Sequence, residues 1–173
     1  RLPVLPSGRS PIRMRAELIL VGAIISGQLF GQLSHGGQPA QWGQVHEVRS
    51  GVTVVTAEGP DPSAQAAMLP TEGEFRYGVQ RDLLVDVLVV GTWNTLPDGT
   101  RVCQVVLHSP GAVMLSVQFD RWRLPVGAKV FLFNSDHTYF IGAFIGANAS
   151  PQGTMATSVI PGDRVVVEYQ VPA

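Results

Sequence analysis

Four histidines are the first candidates for catalysis in this sequence: His35, His46, His108 and His137. His46 and the glutamate after it match half of the H-E-x-x-H metalloprotease motif, but position 50 holds a serine instead of the second histidine. The G-x-S-x-G turn of the α/β-hydrolases does not occur in the sequence either. A Ser-His-Asp triad has no fixed spacing, so only geometry can identify one. The sequence therefore predicts no catalytic residue and no cofactor.

One polar turn contains candidate ligands for a cation. Asn134 and Asp136 carry oxygen atoms of the kind that hard cations prefer. Asn, Ser and Asp also stabilise turns without an ion, because their side chains hydrogen-bond to the nearby backbone. We expect a plain turn at residues 134–137 and predict no metal site, with Asn134 and Asp136 as the two candidates if a cation binds.

Aromatic side chains offer a different kind of site. Trp93, Trp122, Tyr77 and Tyr139 would stack against a sugar if they shared one exposed face, but aromatic residues in a β-rich domain more often pack in the core or at its rim. We favour packing. Cys103 lies among valines, so we expect a buried and unreactive thiol instead of a nucleophile.

The overall composition excludes several classes of protein. The chain has 173 residues, of which 45% are hydrophobic and 14% charged, so it is not disordered throughout. Its formal net charge of -1 provides no basic footprint for nucleic acid. A single cysteine rules out an internal disulfide framework and a zinc site built on cysteines.

The N-terminal residues have the pattern of an export signal. Arg9, Arg13 and Arg15 precede an apolar run at residues 18–30, and Gly31 supplies a small residue at its end. The run is shorter than the roughly 20 apolar residues that span a bilayer. We predict that residues 1–31 comprise upstream sequence and a secretory signal, cleaved near Gly31, that contributes nothing to the core. The alternative is a buried core helix.

The next part of the chain predicts an extended arm. Residues 34–39 and 59–63 are rich in turn-forming residues, and residues 52–56 between them have the composition of one strand. Residues 64–69 are long enough for a single helical turn. We expect residues 32–70 to lie as an arm on the domain that follows.

Strand patterns at regular spacing fill residues 71–173. The Asp98-Gly99 pair between apolar runs predicts a hairpin. We place about eight strands at residues 83–90, 92–96, 101–108, 112–120, 129–133, 138–144, 154–159 and 164–170. Within them we expect one inward face formed by Val113, Leu115, Val117 and Phe119, and another formed by Val165, Val167 and Tyr169. This spacing favours an all-β fold, an antiparallel β-sandwich or jelly roll, with a barrel as the alternative.

A family resemblance extends through most of this domain. Residues 75–172 resemble the N-terminal pro-region of bacterial secreted trypsin-like serine proteases of the lysyl endopeptidase kind. The matching residues occur in order at positions 75–78, 91–93, 96–99, 109–112, 115, 119, 124–128, 141–144, 162–163 and 168–172. The chain departs from the pattern at Val102-Cys103, where a Trp is usual, and at residues 146–149. The resemblance implies a precursor domain whose protease domain begins beyond Pro172, so no catalytic residue of the family can be placed in this chain.

Two functions of different classes follow from these observations. The first is a non-catalytic pro-domain of an exported serine endopeptidase, whose partner is the protease domain of the same precursor. The second is a free-standing extracellular module that binds carbohydrate or another surface. In both, we expect a secreted protein with no nucleic-acid partner and no stable membrane span. The fold alone does not distinguish them.

Overall fold

A computed structural model of the chain describes residues 13–15, 33–40, 42, 51–57, 78 and 80–173, with residues 13–15 described by their backbone. In these residues strands are the main regular structure, with one short α-helix and one 3-10 turn. The strands are β1 (Arg13–Arg15), β2 (Thr53–Thr56), β3 (Val85–Asp86), β4 (Thr92–Thr95), β5 (Arg101–His108), β6 (Met114–Leu115), β7 (Gln118–Phe119), β8 (Lys129–Asn134), β9 (Phe140–Phe144), β10 (Met155–Ala156), β11 (Ile160–Pro161) and β12 (Arg164–Val171). The helix is α1 (Val87–Val90), and the 3-10 turn is Gly146–Asn148.

Six strands form one large sheet with the order β2-β5-β12-β8-β9, and β4 also pairs with β5. Strands β5 and β12 are antiparallel over their whole length, from Arg164 opposite His108 to Val171 opposite Arg101. One pair, β2 with β5, is parallel. The sheet is therefore mixed, and our expectation of a purely antiparallel sheet is wrong at this edge. A parallel neighbour needs a long connection, and about 45 residues separate β2 from β5 in the sequence.

The Asp98-Gly99 hairpin is confirmed as the turn between β4 and β5. The Asp98 carboxylate accepts a hydrogen bond of 2.9 Å from the Thr100 backbone N–H, and Gly99 has a φ of +84°, which glycine adopts without strain. Hydrogen bonding to Thr100 lowers the pKa of Asp98. The local chemistry of the turn therefore specified this hairpin.

Short strands on one side of the large sheet complete the main core. Strands β10, β7, β1 and β3 form a four-stranded sheet in that order, and β11 pairs with β6. The core brings together apolar residues from these short strands and the inward-facing residues of β5, β8 and β12, among them Leu115, Phe119, Ile160, Val105, Leu132, Val165 and Val167. The predicted inward face of Val165, Val167 and Tyr169 is confirmed, since all three are buried.

Residues 112–120 differ from the single strand that we expected. They form β6 and β7, which belong to different sheets. Leu115, Val117 and Phe119 are buried as predicted, whereas Val113 is 79% exposed. Val113 lies before β6 begins, and its carbonyl accepts the Gly162 N–H. The alternation of buried and exposed side chains therefore begins at Leu115 and not at Val113.

Residues 87–90 form a helical turn, where the sequence pattern predicted a strand. The Asp86 carboxylate accepts a hydrogen bond of 3.0 Å from the Leu88 N–H and caps the turn. Gly91 follows it because a Cβ there would overlap the Cys103 sulfur and lie 2.5 Å from the Val87 carbonyl oxygen. A continuous apolar run does not distinguish a buried strand from a helix by periodicity alone, so the capping aspartate decided the outcome.

The N-terminal predictions are only partly tested. Arg13–Arg15 pairs with both β3 and β7, so these three residues do belong to the fold, contrary to our expectation for residues 1–31. Backbone pairing needs only N–H and C=O groups, which explains why a stretch with no strand pattern can take part. Residues 16–32 and the possible helical turn at residues 64–69 lie outside the described part. The strand predicted at residues 52–56 is confirmed as β2, and the domain boundaries at 31 and 70 stay predictions.

Candidate functional site

The two candidate cation ligands are occupied in closing their own turn. The Asn134 Oδ1 atom accepts the backbone N–H groups of Thr138 and Tyr139 at 3.0 and 2.8 Å. Its Nδ2 atom donates to the Thr138 hydroxyl at 2.7 Å, and that hydroxyl donates to Asp136 at 3.3 Å. These hydrogen bonds are those of a turn stabilised by its own side chains. In the described residues, no group of three or more His, Cys, Asp or Glu side chains is placed to hold a metal ion.

The histidines are spread over the molecule. His108, at the end of β5, lies 3.3 Å from the Asp163 carboxylate, measured from Nε2 to Oδ2. Ser109 joins the same residue through its backbone, since its N–H donates to the Asp163 carbonyl. His35 lies in the exposed N-terminal segment, whereas His137 packs among aromatic rings. His46 lies outside the described residues.

Of the four aromatic residues considered for sugar stacking, the three that the structure describes do not share an exposed face. Trp122 is 2% exposed and donates its indole N–H to the Ile145 carbonyl at 2.7 Å. Trp93 is half-buried, donates to the Leu88 carbonyl and lies under the Arg101 guanidinium. Tyr139 is exposed, and Tyr77 lies outside the described residues. The expectation that aromatic residues serve packing is confirmed for the two tryptophans.

Cys103 is a buried thiol on the inner face of the large sheet. Its side chain has no exposed surface, and the thiol donates to the Val87 carbonyl at 3.4 Å. Burial raises the pKa of Cys103 to about 12. Because the thiolate is the reactive form, this environment suits a structural residue.

The most unusual polar group lies on the opposite, outer face of the large sheet. Glu168 is in the middle of β12 and is completely buried. Its neighbours across the strands are Gln104 on β5 and Phe131 on β8. A carboxylate in such a position is costly unless it is hydrogen-bonded.

Three donors surround the Glu168 carboxylate. Oε1 accepts the Ala40 backbone N–H and the Gln170 side-chain amide, and Oε2 accepts the Gln104 amide, each at 2.7 Å. Burial is the largest influence and raises the pKa of Glu168, although the three hydrogen bonds act in the opposite direction. The charged residue nearest in register is Lys129, which lies opposite Gln170 on β8.

The Ala40 N–H comes from an N-terminal segment that crosses this outer face; we call residues 33–40 together with Trp42 the strap. At its start, His35 N–H donates to the Ala143 carbonyl at 2.9 Å, and the Ser34 hydroxyl donates to the Gly142 carbonyl. Gly37, with a φ of +96°, passes Lys129 and Phe131, where an added Cβ would lie 3.5 Å from each side chain. The strap then turns, because the Trp42 N–H donates to the Pro39 carbonyl at 3.2 Å.

An aromatic cluster anchors the end of the strap. The Trp42 ring lies edge-on to Phe133 and Phe140, with centroids 5.7 and 4.7 Å apart, and is stacked on His137 at 5.5 Å. Phe133 also belongs to a small second core with Val106 and Val166 on the outer face. The strap is therefore held by a carboxylate at one point and by aromatic rings at another.

Glu168 was not among the predicted site residues, but the sequence contains a signal for its burial. The runs at residues 105–107 and 130–133 are apolar without alternation, which is typical of strands that are covered on both faces. A glutamate on the strand between them is then expected to be buried. The site can accept peptide N–H groups and hold an aromatic side chain.

Comparison of the chain with protein-family models, with curated proteins and with solved structures finds no match. In the described residues, no helix has the length and hydropathy needed to cross a bilayer.

Proposed function

We propose that the chain is a non-catalytic pro-domain or accessory domain of an exported serine endopeptidase precursor, which assists the folding, latency or export of a protease domain beyond Ala173. The observation that carries this proposal is the ordered resemblance over residues 75–172. Its motifs coincide with structural features of the domain: residues 96–99 and 109–112 lie at turns, and residues 168–171 form the end of β12, directly before Pro172.

We further propose that the described sheets form a β-sandwich. The large sheet supplies one layer, and the two small sheets supply the other. The main core supports this arrangement, because it contains Val105 and Val167 from the first layer and Leu115 and Phe119 from the second. A rigid layered domain of this kind provides surfaces against which another domain can fold.

The chemistry of the described residues agrees with a binding role. The Asp163 side chain pairs with His108, and the Asp163 carbonyl accepts the backbone N–H of Ser109. The Cys103 thiol is buried, and the Glu168 carboxylate accepts hydrogen bonds from its neighbours. We expect the purified chain to turn over neither peptides nor esters, including those with lysine before the scissile bond. Turnover that active-site serine reagents abolish would contradict the proposal.

A refolding experiment tests the pro-domain function itself. A denatured secreted protease domain of the lysyl endopeptidase kind is diluted with or without this chain, and recovered protease activity is measured. We expect a higher yield with the chain, and a smaller gain with Phe119→Ala, which weakens the folded domain. An unrelated protein of equal concentration is the control. If the chain neither raises the yield nor slows the folded enzyme, the pro-domain function is wrong.

A further inference from the structure

The strap is held at a few points while most of its surface faces solvent. Residues 33–38 are all exposed, and only Pro39 is buried. The polar anchors that join it to the domain are the hydrogen bonds of Ser34, His35 and Ala40, with Leu33 accepting from Asn148 at 3.0 Å. Segments with few buried contacts open at a free energy well below that of global unfolding.

The surface beneath the strap combines an acceptor with apolar groups. Glu168 and Phe131 have no exposed surface, and Phe133 and Val166 are 1% and 2% exposed. Opening of the strap would uncover the Glu168 carboxylate and the two side-chain amides that donate to it. It would also empty the neighbouring position that the Trp42 ring fills. This is a combination that a short peptide can satisfy, with one backbone N–H and one large aromatic side chain.

The strap itself shows which peptide fits. Residues 33–42 contain no Asp, Glu, Lys or Arg. The segment therefore binds the Glu168 carboxylate through a backbone N–H and not through a charged side chain. Its turn places Trp42 two residues after the N–H that Glu168 accepts. Gly37 allows the close passage over Lys129 and Phe131.

We propose that the outer face of the large sheet is a binding site for a short peptide without charged side chains, which presents a backbone N–H to Glu168 and an aromatic side chain two residues later. The strap fills this site as an internal ligand and is exchangeable with such a peptide. The proposal is independent of the pro-domain function, because it concerns this chain alone.

Amide hydrogen exchange in the unaltered full chain provides the first test. We expect the Ala40 N–H to exchange by local opening, at a rate that low concentrations of denaturant do not change. The Val167 N–H in the central strand β12 should exchange only by global unfolding. If the Ala40 and Val167 amides exchange together at all denaturant concentrations, the strap does not open separately and the proposal is wrong.

Peptide binding to the full chain provides the second test. The probe is a labelled synthetic peptide with the sequence of residues 33–42, followed by fluorescence anisotropy. Trp42→Ala removes the anchor of the internal ligand, so we expect it to bind the peptide at least about tenfold more tightly than the wild type. If Trp42→Ala fails to unfold cooperatively, Trp42→Leu takes its place, since it keeps an apolar side chain.

Two matched controls identify the contacts. Adding Glu168→Ala to the Trp42 variant should weaken peptide binding at least about tenfold, because the buried acceptor of the peptide N–H is lost. A peptide methylated on the nitrogen that corresponds to Ala40 should bind as weakly, since it lacks the donor. Val113→Ala, at an exposed position, should leave binding unchanged. If neither Glu168→Ala nor methylation of the peptide nitrogen weakens binding, the proposal is wrong.

Discussion

Glu168 illustrates how a single residue can organise a surface. Its carboxylate joins the middle strand of the large sheet to the strap through Ala40, while Gln104 and Gln170 occupy its other acceptor positions. Hydrogen bonds to a buried ionised group contribute more than those between neutral groups, and an unpaired partner is expensive. Burial of Glu168 is therefore tolerated because each of its carboxylate oxygens has a donor, from the strap, from β5 and from β12 itself.

Substitutions of Glu168 separate these effects. Glu168→Ala leaves the Ala40 N–H and two amides without their acceptor, and we expect a loss of about 1–3 kcal/mol in the free energy of unfolding. Glu168→Gln keeps an oxygen for Ala40, and one neighbouring amide can turn over to accept the new NH₂ group, so its loss should be smaller. Urea denaturation measures both. Equal losses would show that the acceptor is unimportant.

The pH dependence of stability tests the protonation of Glu168. Because burial raises the pKa of Glu168 above its ordinary value of 4.5, the native chain binds its proton more tightly than the unfolded chain does. The stabilisation of the wild type relative to Glu168→Gln is then largest below about pH 4.5 and is lost as the pH rises through the raised pKa. Denaturation curves of both proteins at pH values below and above 4.5 measure this difference in the free energy of unfolding. A difference that does not change with pH would contradict the assignment.

Cys103 gives a prediction about reactivity. With its pKa raised to about 12, the native thiol should react with a thiol reagent at pH 8 more than about a thousandfold slower than the denatured chain, since the thiolate is the reacting species. A spectrophotometric thiol assay with and without denaturant measures both rates. Native labelling at the denatured rate would show that the thiol is accessible.

Among the elements, the long strands could be predicted and the short ones could not. The strand predicted at residues 101–108 agrees with β5, and the one predicted at residues 164–170 agrees with β12 to within one residue. The Asp98-Gly99 turn was recognised because its residues satisfy the turn by themselves. Strands β6 and β7 have two residues each, and each pairs with a strand that is distant from it in the sequence. No local sequence pattern therefore determines these two strands. The helical turn α1 depended on one capping aspartate within an apolar run.

The division of residues 112–120 gives a test at the level of the element. Phe119 is 1% exposed and packs edge-on to Trp122 at 4.9 Å, so Phe119→Ala should cost about 3–5 kcal/mol. Val113 is 79% exposed, and Val113→Ala should change stability by less than about 0.5 kcal/mol. Thermal or urea denaturation compares the two variants. Similar effects would mean that the faces are assigned wrongly.

At the scale of the whole molecule, the sequence predicted a strand-rich domain and an N-terminal arm, but not what lies beneath the arm. The strap contacts Glu168 and an aromatic cluster that are separated by more than 90 residues from it, and long-range contacts of this kind leave no local signal. The pairing of Arg13–Arg15 with β3 and β7 was missed for the same reason. Alternation identified the core face, and the apolar runs at residues 105–107 and 130–133 indicate that the outer face is covered, but no local pattern indicates which segment covers it.

Export provides a prediction for the whole chain. Protein secreted from a host that recognises the signal should begin at Gln32, because cleavage is expected after Gly31. Such protein lacks Arg13–Arg15, so the pairing of these residues with β3 and β7 belongs to the uncleaved chain alone. N-terminal sequencing of the secreted protein measures this directly. Secreted protein that retains residues 18–30 would contradict the export signal.

The reading frame of the transcript beyond the codon for Ala173 tests the central proposal most directly. The pro-domain account predicts that the frame stays open and encodes a domain with the serine, histidine and aspartate of a trypsin-like protease. A stop codon directly after Ala173 would contradict that account and favour a free-standing binding module.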